Sequence, residues 1–127
     1  VILYLASDLM WATRIKATAE DVGVPCRPVR SLDMLQARLA DTPDLKGLIL
    51  DLESPQTALQ LIQFVRSADA PTAAHSLRLI GFAPHVKRDI IQQALDAGAH
   101  QVLTRGAFDH DLADILLKLE GATPKAT

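Results

Sequence analysis

Four short stretches hold the residues best suited to chemistry: Ala6-Ser7-Asp8, Asp51-Leu52-Glu53, Phe82-Ala83-Pro84 and Thr104-Arg105-Gly106. Each directly follows an apolar run. Their polar members are three carboxylates (Asp8, Asp51, Glu53), two hydroxyls (Ser7, Thr104) and one guanidinium (Arg105), a set suited to pairing and neutralising charge. Signatures of other chemistries are missing. The chain has no glycine-rich phosphate loop and no Gly-x-Ser-x-Gly elbow. Its histidines, His75, His85, His100 and His110, form no His-x-x-x-His pair on a helical face, so surface positions are expected for them. The single cysteine, Cys26, stands beside Pro25 without a cysteine or histidine at metal spacing. It reads as a small buried thiol, which implies a reducing compartment and a cytoplasmic location.

The elements that must position these residues alternate five times between a short apolar run and a helix-period stretch. Ile2 to Leu5 reads as a strand covered on both faces, and Leu9 to Val22 as a helix with Met10, Ile15, Ala17 and Val22 among its apolar positions, closed by Gly23. Val24 to Val29 contains Pro25 and Pro28, which assigns it to a sheet edge. Ser31 caps a helix ended by Pro43, and Leu45 to Leu50 runs into Asp51. Thr57 to Ser67 is amphipathic, and Ala70 to Ser76 reads as a loop. Leu77 to Phe82 is the fourth strand, followed by a helix from Asp89 to Ala97. Val102 and Leu103 make a short fifth strand, and Asp109 opens a last helix that stops at Gly121. Such units imply parallel strands joined by right-handed crossovers, with working residues at the carboxyl ends of the strands. The expected architecture is an α/β fold with a five-stranded parallel sheet, flavodoxin-like, strand order 2-1-3-4-5, helices on both faces. Residues 1–121 make the domain and 122–127 a flexible tail.

Composition limits the function. A chain of 127 residues with 49% hydrophobic and 22% charged residues supports one domain with a real core. A net charge of −2 lacks the basic surplus that nucleic-acid binding requires, and 4% aromatics are too few for base stacking. The apolar start is too short for a secretory signal, and no run reaches membrane-spanning length, so neither nucleic acid nor membrane is an expected partner.

Two segments resemble one family. Leu50-Asp51-Leu52-Glu53-Ser54-Pro55 is similar to the segment around the phosphoacceptor aspartate of response-regulator receiver domains, the CheY-like family, with Pro55 four residues after Asp51. Ala94-Leu95-Asp96-Ala97-Gly98-Ala99, followed by Val102-Leu103-Thr104-Arg105, resembles that family's fourth helix running into its fifth strand. The resemblance extends over about 120 residues, in the family's element order. It implies a phosphorylation switch in two-component signal transduction: an acidic pair holding magnesium with the phosphoacceptor, a serine or threonine ending the fourth strand, and a lysine ending the fifth. Because phosphoryl transfer develops charge on oxygen, metal and lysine supply the neutralisation.

Residue by residue, the carry-over is incomplete. Asp51 matches the phosphoacceptor. Of the acidic pair, Ser7-Asp8 offers one carboxylate, so Asp8 and Asp51 would hold Mg²⁺ weakly at best. The hydroxyl position falls on Phe82 or Ala83, and no serine or threonine occurs between Leu77 and Leu103. The lysine position is Arg105. The implied protein is a pseudo-receiver: a non-enzymatic signalling or interaction module without a cofactor, its Asp51 vestigial. Arg105 is either solvated or paired with Asp51 in a forked geometry that locks the pocket; Glu53 is solvated or joins the pocket, which also includes Thr104. Trp11 and Met10 are half-buried packing or an exposed contact beside it. The resemblance implies a protein partner or a second copy on the face of the fourth helix, fifth strand and last helix, with Gln92, Gln93, Asp96 and Arg105 exposed. Two alternatives stand beside this reading. One is a conventional Mg²⁺-dependent phosphoacceptor at Asp51. The other is a small-molecule sensor whose strand-end crevice is lined by Phe82, Ala83 and Trp11.

Overall fold

The computed structural model describes residues 1–121; the expected tail, residues 122–127, lies outside the described residues. Five parallel strands, β1 (Ile2–Leu5), β2 (Cys26–Pro28), β3 (Gly47–Asp51), β4 (Arg78–Ala83) and β5 (Gln101–Thr104), lie in the order β2-β1-β3-β4-β5. The helices are α1 (Leu9–Val22), α2 (Leu32–Asp41), α3 (Pro55–Arg66), α4 (Thr72–His75), α5 (Arg88–Ala97) and α6 (Arg105–Glu120). The flavodoxin-like architecture is as expected, with β2 at an edge where its proline removes no interior ladder bond.

The continuous apolar runs follow from a sheet covered on both sides. Along β1, β3 and β4 alternate residues enter different cores. Leu3, Leu5, Leu48, Leu50 and Leu79 pack with Leu35 of α2, Leu61 and Ile62 of α3, and Ala94 of α5. Ile2, Tyr4, Ile49, Ile80 and Phe82 pack with Ile15 of α1 and with Phe108, Leu112 and Leu116 of α6. The buried stripe of α1 is Trp11, Ile15 and Ala19, a spacing of four that aligns them on one face, whereas Met10 and Ala17 point outward.

Local signals set most boundaries. Gly23 closes α1 at φ 73°, in the left-handed region that favours glycine, and the Ser31 hydroxyl accepts the Met34 N–H to start α2. Two differences matter. The expected loop from Ala70 to Ser76 contains the short α4, so the helix after β4 is α5. The last helix begins at Arg105 rather than Asp109, because Thr104 serves as its N-cap and accepts the Ala107 N–H at 3.2 Å. Among the described residues no helix is long and apolar enough to cross a membrane.

Candidate functional site

β1 and β3 are neighbours whose following helices cover opposite faces, so their carboxyl ends form the switch point of the sheet. The register pairs Leu5 with Leu50, which brings Ser7 beside Asp51. Asp51 is fully buried, the only buried charged residue among those described. Its Oδ2 accepts the Ser7 N–H at 2.9 Å and the Ser7 hydroxyl, and its Oδ1 accepts the Glu53 N–H at 3.0 Å. A buried carboxylate is tolerated only when hydrogen bonds replace its water, and three donors do so here. The Glu53 bond is of the Asx-turn kind: the chain folds back at Leu52-Glu53, and the Ser54 N–H reaches the Asp51 carbonyl at 3.2 Å.

Asp8 is turned elsewhere. It is the N-cap of α1 and accepts the Trp11 N–H at 2.9 Å, satisfying one of the free amides of the helix start. Asp8 is thus engaged at the helix start, and each Asp51 oxygen accepts at least one donor. Among the described residues, no cluster of three His, Cys, Asp or Glu side chains is arranged to hold a metal.

The forked Arg105–Asp51 pair does not form. Arg105 leaves the first turn of α6, and its Nη2 lies 3.0 Å from Glu53 Oε1, both side chains more than a third exposed. Asp51 already has its donors, so the guanidinium meets the carboxylate that lacks them. Glu53 is therefore a pocket residue with two contacts, its N–H on Asp51 and its carboxylate on Arg105. The Arg105 Nε is buried without an acceptor.

Phe82 faces Asp51 in the β3–β4 register and is wholly buried. It stacks on Phe108 with ring centroids 4.1 Å apart and planes within 5°, and Trp11 tilts against it at 4.8 Å. These rings fill the space at the strand ends between α1 and α6. Ala83 is buried on the opposite face. The crevice of the sensor reading is thus occupied by the side chains expected to line it. Trp11 is buried rather than half-buried, while Leu9 and Met10 are exposed. Two shallow grooves flank the site. One, of about 420 Å³, includes Leu52, Glu53, Val86 and Lys87; the other, of about 330 Å³, includes Met10, Trp11, Arg14 and Arg105. Phe82 and Ala83 line neither.

On the lateral face, Gln92, Gln93 and Asp96 of α5 are exposed, and Gln92 Nε2 donates to Asp96 Oδ1 at 2.8 Å. Arg105 belongs to α6, not to β5, and Thr104 is the cap between them. Cys26 is half-buried, and burial, reinforced by Glu120, pushes its thiol up to about 12. Sequence reasoning missed the Glu53–Arg105 pair, the capping role of Thr104 and the part of Phe108. The Thr104-Arg105-Gly106-Ala107 spacing of an N-cap was the signal available for the second.

No protein-family model matches the sequence, and no curated protein matches it significantly. Solved structures do. The receiver domain of a signal transduction histidine kinase from Syntrophus aciditrophicus is 19% identical, over 99% of this chain and 96% of that one, with a TM-score of 0.76. A response-regulator receiver domain from Bermanella marisrubri is 20% identical, covering 93% and 95%, with a TM-score of 0.75. The receiver domain of a sensor histidine kinase from Pseudomonas aeruginosa PAO1, which coordinates magnesium in its active site cleft, is 17% identical, covering 95% and 97%, with a TM-score of 0.72. At these identities the likeness is one of fold, and the fold is that of receiver domains.

Proposed function

We propose that this chain is a receiver-like signalling module that works through protein contacts and not through phosphorylation of Asp51. The observation that carries the reading is the burial of Asp51 with both carboxylate oxygens occupied by donors from Ser7 and Glu53. An attacking carboxylate must be reachable by the phosphoryl donor, and the developing charge needs a cation beside it, whereas Asp51 is fully buried. Asp8 caps α1, which argues against its holding a cation beside Asp51, and Arg105 pairs with Glu53, which argues against its neutralising charge there. The reading accordingly includes no magnesium and no catalysis.

In this reading the output surface is the face of α5, β5 and α6, engaged by a protein partner or a second copy. It is supported by the exposed Gln92, Gln93 and Asp96, the partly exposed Leu95, and the place of β5 at the edge of the sheet among the described residues.

Amide NMR of the labelled protein, titrated with magnesium and then with beryllofluoride, tests the proposal. The expected spectrum is unchanged at Ser7, Asp51, Glu53 and Phe82. Shifts clustered at those residues and saturating with beryllofluoride would overturn it and establish a phosphoryl-accepting pocket.

A further inference from the structure

We infer that the Glu53–Arg105 ion pair is a latch that holds the turn after β3 closed over Asp51, and that opening it is how this module changes state. The inference rests on the reading of Asp51 as sealed. Glu53 is tied at both ends: its N–H closes the Asp51 Oδ1 bond, and its carboxylate is held 3.0 Å from Arg105 Nη2. While Arg105 keeps the carboxylate, the Glu53 amide stays on Asp51. The pair joins two segments far apart in the chain, the β3–α3 turn and the first turn of α6.

The turn side of the latch is lightly held, in contrast to what it covers. Ser54, which starts α3, makes no side-chain capping bond. The Arg105 Nε has no acceptor, so the guanidinium is incompletely satisfied in the closed arrangement. Asp51 beneath is fully buried. An exposed ion pair biases such an equilibrium weakly, which suits a contact that a partner's own charged side chain displaces. Once Glu53 is released, its amide lifts away and Asp51 Oδ1 loses its donor, while Ser7 still holds Oδ2.

Amide hydrogen exchange, measured residue by residue by NMR on the full chain, tests this. Glu53→Gln and Arg105→Ala are each expected to speed exchange of the Glu53 amide by about threefold to fivefold, the range set by a weak exposed pair. The amides of Leu50 and Ile80 inside the sheet should keep their rates. The charge swap Glu53→Arg with Arg105→Glu should return the Glu53 amide toward its original rate. An unchanged Glu53 amide in both single variants overturns the latch, as does an acceleration shared equally by Leu50 and Ile80, which reports global loosening. A beryllofluoride response in the unaltered protein would overturn the proposed function and the sealed Asp51 with it, whereas the exchange rates by themselves report whether the ion pair holds the Glu53 turn.

Discussion

Ser7 supplies two of the three hydrogen bonds to Asp51, both to Oδ2, one from its backbone N–H at 2.9 Å and one from its hydroxyl. A residue at the carboxyl end of β1 thus closes the end of β3, at the point where the two strands diverge to their helices. Ser7→Ala removes the hydroxyl and leaves a buried charged acceptor short of one donor. It is expected to lower the unfolding free energy by about 1–2 kcal/mol, read from urea denaturation. No change in midpoint would mean that the hydroxyl bond contributes nothing net.

The stacked Phe82–Phe108 pair with Trp11 against it makes the strand ends a packed core. Phe82→Ala is expected to cost about 3–5 kcal/mol, the usual range for emptying a fully buried aromatic site. Trp11 is the only tryptophan, so its emission should shift to longer wavelength as the cavity admits water. An unshifted emission with a small stability loss would mean that α1 and α6 collapse onto the gap.

His100 accepts the Leu79 N–H at Nδ1, at 3.0 Å, which requires that nitrogen to be unprotonated. Burial, followed by the nearby Arg66 and Arg78 charges, holds the ring below its ordinary value of 6.5. The folded state therefore favours neutral His100. Its contribution is complete above that ordinary value and is lost as pH falls through the lower folded one. His110 has the opposite sign: the Asp111 hydrogen bond raises it, so its contribution is present in acid and fades as pH rises through the raised value. Urea midpoints between pH 8 and pH 5 should fall toward acid in a His110→Ala background. His100→Asn should flatten that fall.

Cys26 should be a poor nucleophile in the folded chain, since burial pushes its thiol up to about 12. Alkylation by iodoacetamide at pH 8 is expected to be at least about tenfold slower in the folded protein than in urea, where the thiol regains its ordinary acidity. Equal rates would mean that β2 opens readily at the sheet edge.

Much of the fold was legible because it follows from local rules. Apolar runs doubly covered by helices, Gly23 at a positive φ and Ser31 at a helix start each left a signal that tertiary contacts did not override. The start of α6 was placed at Asp109, yet the Thr104 cap starts the helix four residues earlier, at Arg105. Trp11 was misplaced because its burial depends on Phe82 and Phe108, which stand 71 and 97 residues further along the chain.

The sequence alone determined which chemistry was missing from the strand ends: one acidic residue where the family resemblance implies two, no hydroxyl near the end of the fourth strand, and an arginine in place of a lysine. Residue types are read directly, and their absence requires no geometry. Only the tertiary structure decided how the remaining charges were arranged. Asp8, Asp51, Glu53 and Arg105 are four charges with several possible pairings, and chain order does not choose among them. The choice came from register and direction: β1 beside β3 brings Ser7 to Asp51, the start of α1 takes Asp8, and the first turn of α6 carries Arg105 to Glu53. Ion pairing and hydrogen bonding act over a few ångströms, so a shift of one residue at a helix start or strand end changes every partner.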